Sequence, residues 1–258
     1  ISGTTVGGLF GRLVVSAITD FVSWRMGLIV IGILYLAVGI AFFMLLPKPK
    51  YQRQRQSGGL QLIKTFHTAL ANKKLLWIYL VAFLIMGSFV AVFNFISYVL
   101  LAPPYSLSQT VVGLLFVVYL FGTFSSTYMG RLSDQHGNGR VLILGLLIML
   151  TGGLLTLLQP LVFKFIGLAI FTFGMLGSHS VACGWVGKLN HGDKAQSSSM
   201  YMFFYYAGAS SLGTLGGVFL ESYGWSGVIG MVAAAVIICL LVIVRLELAV
   251  SQHLLWHH

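Results

Sequence analysis

Charge is what this chain has least of. Only 8% of its 258 residues are charged and 58% are hydrophobic, whereas soluble globular domains carry about 25% charge, so a soluble fold is excluded. Acids are scarcest, five against fifteen Lys and Arg. They form no Ser, His and acid grouping at a common depth, no metal-ligand spacing accompanies them, and no Walker motif or phosphate loop is present. An enzyme, an ATP-driven pump and a metal site are therefore disfavoured. Cys183 and Cys239 both fall inside apolar runs and read as small buried hydrophobes, not as a disulfide.

What is abundant is long apolar sequence, with mean hydropathy +0.94. Crossing the hydrocarbon core takes about 20 apolar residues per helix. Eight segments qualify: 1–19, 26–46, 75–101, 109–129, 141–158, 165–186, 199–220 and 225–244. Barrel strands would be half as long and would alternate, so the expected fold is an all-α membrane protein, a bundle of eight transmembrane helices. The chain opens at Ile1 inside an apolar run with no charged leader, and reads as the C-terminal part of something longer.

A net charge of +10 would fit nucleic acid in a soluble protein, but here it reads as topology. With the segment after the second span in the cytosol, twelve Lys and Arg gather on that side and only Arg25 and Lys164 lie opposite. That asymmetry is the positive-inside rule. Residues 47–74 then form a basic cytoplasmic linker, and 248–258 a cytoplasmic tail. The same rule places Asp134, Asp193 and Glu247 inside and Asp20 and Glu221 at outer helix ends, leaving no carboxylate at mid-membrane.

The second, fifth and eighth spans are almost uniformly aliphatic, while the others carry Asn, Ser, Thr, Tyr, His or Arg. Three-helix units follow from that. The first and seventh spans also echo one another, each with a glycine-rich run followed by an acid four residues before a tryptophan: Asp20 and Trp24, Glu221 and Trp225. Equivalent helices six apart imply a parent of two six-helix halves.

The turn at 130–140, GRLSDQHGNGR, is polar where its neighbours are not. Gly130, Asp134, Gly137 and Arg140 resemble the cytoplasmic motif of the major facilitator superfamily, with Gln135 and Asn138 standing where that motif carries basic residues. The first span, GGLFGR followed by Asp20 and SWR, resembles the fifth helix of bacterial members that export drugs or sugars. The resemblance covers the whole chain as helices five to twelve of that fold: 1–46 closing the first half, 47–74 as linker, and 75–247 as the complete second half. It implies a multi-pass protein of the bacterial inner membrane, a monomer with no cofactor and no nucleic-acid partner, which moves a small molecule by alternating access under a proton gradient. An importer of sugars or organic anions, or an inactive or regulatory fragment, is the alternative.

Under that resemblance Gly130, Arg131, Asp134, Gly137 and Arg140 form a cytoplasmic gate latch; without it they are a turn obeying the charge rule. Gly3, Gly7 and Gly11 make one small face, and Gly122, Ser126 and Gly130 another. Each allows close helix approach, between the two halves or within one. Arg12 sits inside a helix, where a cation either binds an anionic substrate or carboxylate or snorkels to the surface. His179 lies mid-helix, either carrying protons, touching substrate or packing through a hydrogen bond. With Asn94, Tyr98, Tyr119, Tyr201 and Tyr205 it makes up the expected cavity lining.

Overall fold

The computed structural model describes residues 7, 11, 14, 15, 18, 23–46, 72–189 and 194–255. Most of the first expected span and of the linker, Gly3 and Arg12 among them, lies outside the described residues. Elsewhere the spans form helices: α1 Trp24–Leu45, α2 Lys73–Leu101, α3 Gln109–Leu114, α4 Tyr119–His136, α5 Asn138–Leu155, α6 Leu161–Leu189 and α7 Lys194–Leu255. A 3-10 turn, Leu115–Val118, joins α3 to α4, and the two make one pass. Polar residues start these helices by accepting bonds from backbone amides left free in the first turn: Ser23 for α1, Asn72 for α2 and Ser108 for α3.

Six of the described stretches are long and apolar enough to cross a bilayer. The last, Lys194–Leu248, has 55 residues, about twice what a single crossing needs. Gly224 breaks it with φ 65 and ψ −157, a conformation open to glycine, so α7 makes two passes. The chain is an all-α membrane protein. In α1 only Gly27 is buried, and among the described residues no other numbered helix packs on it. The passes from α2 onward share one apolar core that includes Ile78, Phe93, Leu142, Phe171 and Val236.

Alternating passes give this bundle two ends. At one end Lys188 meets Asp134 and Asn138, Glu247 presses on Gly139, and Lys73, Lys74 and Arg245 line one cavity. Seven of the eight Lys and Arg from α2 onward lie at this end; Lys164 lies at the other. There the carbonyl of Thr156, at the end of α5, accepts from Lys164 Nζ at 2.5 Å and Trp225 Nε1 at 3.1 Å. Tyr105 donates to the carbonyl of Gln159 beside it. One buried oxygen thus ties the α5–α6 connection to the break at Gly224.

Two interfaces rest on glycine meeting backbone. A Cβ on Gly208 of α7 would lie 2.0 Å from the carbonyl oxygen of Phe83 in α2. One on Gly174 of α6 would lie 2.3 Å from the amide nitrogen of Met149 in α5. Lipid gives no hydrophobic incentive for helices to associate, so such close approach is what supplies their packing energy.

Two boundaries differ from expectation. The polar stretch at 130–140 is not a loop: α4 runs through Gly130, Arg131 and Asp134 to His136, and only Gly137, at φ 92, departs from helix. Nothing between Arg131 and His136 breaks a helix, and their polarity only requires that the last turns stand in water. The last span, read as 225–244, likewise continues in helix as far as Leu255, since RLELAVSQHLL holds neither Gly nor Pro.

Candidate functional site

The polar end of α4 and the start of α5 form the first candidate. Asp134 faces neither Arg131 nor Arg140. It pairs instead with Lys188 in the last turn of α6, at 2.9 Å, and the same ammonium lies 3.4 Å from Asn138 Oδ1. Gly137 makes the reversal between the helices, and Gly139 follows in the first turn of α5. A Cβ at Gly139 would sit 1.8 Å from Glu247 Oε2, so the position holds glycine because a carboxylate from α7 occupies the space. A carboxylate at a helix N-terminus is favourably placed against the helix dipole. Charges from α4, α6 and α7 thus converge on one hairpin. Lys188 and Glu247 were not legible from the turn's own sequence, because both lie on other spans.

Both partners of the Asp134–Lys188 pair are exposed, at 70% and 56%, and such pairs are worth about 0.2–1 kcal/mol. If it acts as a latch, its effect on a two-state equilibrium is therefore at most about fivefold. Asp134→Asn or Lys188→Gln in the full-length protein is expected to lower the melting midpoint, by no more than about 3 °C, with the exchanged pair D134K/K188D restoring it. A midpoint indifferent to all three would leave a solvated turn.

The second candidate is a polar node inside the bundle. His179 of α6 and Tyr201 of α7 are 5% and 0% exposed, and Tyr205 lies one turn further along α7 at 8%. His179 Nδ1 stands 2.9 Å from the Tyr201 hydroxyl, which also lies 3.4 Å from the carbonyl of His179. Two proton arrangements satisfy this geometry. Either the hydroxyl donates to Nδ1, or Nδ1 carries the proton and donates to the hydroxyl, which then donates to the carbonyl. The Tyr205 ring packs on the imidazole with centroids 4.4 Å apart. Tyr119 is buried too, edge-on to Phe93 at 5.1 Å. His179, Tyr201 and Tyr205 come together in the interior of the bundle, each ring packed on the other two.

Asn94 and Tyr98 behave differently. Both are exposed, on one face of α2 opposite buried Phe93, Ile96 and Leu100. An amide aimed at lipid tails is costly, so that face calls for water or protein. Helix α7 exposes further polar groups there and beyond, Ser210, Ser211 and Thr214, which the sequence did not single out because each can bond within its own helix. His179 and its tyrosines are separate from this exposed set.

The profile of the Major Facilitator Superfamily matches residues 1–105 and 80–254, close to the entire chain. The chain belongs to the major facilitator superfamily. Among curated relatives it is 41% identical over 247 residues to the inner membrane transport protein YnfM of Escherichia coli, covering 96% of this chain and 59% of that protein. It is 40% identical over 242 residues to the uncharacterized MFS-type transporter YybF of Bacillus subtilis, covering 93% of this chain and 59% of that protein. An uncharacterized transporter of Buchnera aphidicola from Schizaphis graminum is 36% identical over 247 residues, covering 96% and 60%. The chain therefore spans about six-tenths of the length of the relatives it matches. All three are named as transporters, a non-enzymatic class.

Within this superfamily member, the small faces are used inside the bundle. A Cβ on Gly122 would meet Leu176 of α6 at 2.0 Å, and Ser126 donates to the carbonyl of Leu176 at 3.2 Å. Ser180 of α6 returns a bond to the carbonyl of Ser126 at 3.0 Å, and Gly130 faces that same hydroxyl. Of the two packings the spacing allows, the described residues show the one within a half, α4 against α6. Gly11 faces Tyr35 of α1, and nothing lies within 4 Å of a Cβ on Gly7.

Proposed function

We propose that the chain is the last two helices of a first lobe, a cytoplasmic linker and the complete second lobe of a secondary carrier of small organic compounds, working by alternating access in a bacterial inner membrane. Residues 1–46, 47–74 and 75–247 are those three parts, with the superfamily match and the relatives' length as support. The observation that carries transport is the split character of α2: apolar and buried on one face, yet presenting Asn94 and Tyr98 on the other at membrane depth. A polar face that the bundle itself does not cover is what one wall of a central pathway requires.

The finer reading is proton-coupled export of drugs or sugars, on the resemblance of the first span to the fifth helix of such exporters. Among the described residues Asp134 and Glu221 stand within three residues of a helix break, and Glu247 reaches Gly139 at the basic end of the bundle. Any proton site within the described spans then falls to His179, whose bond to Tyr201 has the two arrangements such a role needs.

Full-length protein in proteoliposomes, with candidate drugs and sugars and with or without a pH gradient, tests both levels. Gradient-driven flux of at least one compound is the expected result. Flux that ignores the gradient would overturn proton coupling, and absence of any flux would overturn transport itself.

A further inference from the structure

Lys73 and Lys74 at the start of α2 and Arg245 near the end of α7 converge on a cavity of about 420 Å³. Below them, Trp77 follows on α2 and Ile238 and Leu241 on α7. No acid lines this cavity. Glu247, two residues beyond Arg245, is directed at Gly139 instead. Asn72 already accepts from the amides of Lys74 and Leu75, so the attraction here comes from side-chain cations and not from the helix end. None of the three forms an ion pair with another described residue, whereas Lys188 at the same end is taken by Asp134.

The wall below the cations opens sideways. Trp77, Ile238 and Leu241 are 44%, 45% and 62% exposed on the outside of the bundle, where acyl chains run. Along the membrane normal the order is therefore three cations, then an interfacial tryptophan, then aliphatic surface. A soluble anion would use the first layer only. A phospholipid uses all three: phosphate, glycerol and chain.

We propose that this cavity holds an anionic phospholipid of the leaflet at the basic end of the bundle, its phosphate on Lys73, Lys74 and Arg245 and one acyl chain along Ile238 and Leu241. The assignment of that leaflet as cytoplasmic rests on the charge asymmetry and not on any transport activity. Such a lipid would fasten the first helix of the second lobe to its last at the point where the linker enters.

Native mass spectrometry of the full-length protein with added phosphatidylglycerol or phosphatidylcholine tests this. Wild type is expected to retain phosphatidylglycerol in preference, and K73Q/K74Q/R245Q to lose at least tenfold in apparent affinity for it while phosphatidylcholine retention is unchanged. Ile238→Trp, which narrows the groove without altering charge, is expected to weaken phosphatidylglycerol at least threefold but not glycerol phosphate. Lys194→Gln, removing a charge from the same end outside the cavity, should change retention less than twofold. Equal loss in Lys194→Gln would mean general surface charge, and retention that survives the triple variant would overturn the site. So would full retention in Ile238→Trp, which would mean an anion site without a chain groove, or a loss seen only when basic residues of the linker are replaced, which would place the headgroup there. Melting midpoints of all variants, measured alongside, are expected within about 3 °C of wild type; a triple variant that melts far lower would be judged by Ile238→Trp.

Discussion

Gly208→Val in the full-length protein is expected to yield no folded material, and Gly208→Ala to lower the melting midpoint in detergent by on the order of 5–10 °C. A Cβ at Gly208 would stand 2.0 Å from the carbonyl oxygen of Phe83 and 2.6 Å from its carbonyl carbon. Those are backbone atoms of a helix, so no rotamer change relieves the clash. The helices must separate. Separation also loosens Gly87, whose own Cβ direction points at Gly208 O at 2.7 Å and Leu212 at 2.5 Å. Overpacking a tight core costs about 1–3 kcal/mol and occasionally more, and valine adds bulk where even one methyl does not fit. Gly230→Ala is the control, because nothing lies within 4 Å of its Cβ direction. There the gain in helix preference, about 0.5–1 kcal/mol, is unopposed, and the midpoint should hold or rise. Equal midpoints for the two alanine variants, read by fluorescence-detected size exclusion after heating, would show that α2 and α7 do not meet at this glycine.

That glycines set helix spacing was legible in the sequence; which helix each would meet was not. The small face of Gly122 and Ser126 announces close approach, but spacing within one helix carries no address. Its partner, Leu176, is 54 residues from Gly122 and is an ordinary leucine in an apolar run. The same limit applies to Asp134, whose nearest bases in sequence are Arg131 and Arg140 and whose partner is Lys188. A lysine closing one span and an acid closing another meet because antiparallel passes bring their ends together, and that fact belongs to topology. The spans themselves were legible because lipid tolerates so few sequences: long apolar runs, with charge confined to the ends. Helix ends were less so. Hydropathy marks where the membrane stops, whereas a helix stops where its backbone is broken, as at Gly137 and Gly224. Between those two limits α4 gains the polar turns that carry Asp134. His179 was recognisable as a titratable group at depth, but its tyrosine partners lie on another helix, and only packing shows that the cluster faces inward while Asn94 and Tyr98 face out.

Under the proposed proton-coupled transport, His179→Leu is expected to abolish at least nine-tenths of flux while the protein still folds, and the pair His179–Tyr201 allows function to be separated from packing. Removing the imidazole leaves the Tyr201 hydroxyl, fully buried, with the carbonyl of residue 179 at 3.4 Å as its remaining partner. Removing the hydroxyl in Tyr201→Phe leaves Nδ1 facing a ring edge. Tyr201→Phe strands Nδ1, and His179→Leu leaves the hydroxyl only that long bond, so each single change costs up to about 1–3 kcal/mol and should lower the midpoint accordingly. The double variant H179L/Y201F strands neither. Replacing both partners by apolar groups of similar shape is close to neutral, so its midpoint should recover most of the loss, and the coupling between the two changes should appear in the double-mutant cycle. Transport need not follow. If His179 only packs, the double variant regains flux together with stability. If it carries a proton, the double variant is as stable as wild type and still inactive, because a general acid–base group worth about 10²–10⁴ in rate has no substitute in leucine and phenylalanine. Gradient-driven flux in proteoliposomes decides between these: recovery in H179L/Y201F would remove His179 from the transport mechanism, and persistent loss at a restored midpoint would place it there.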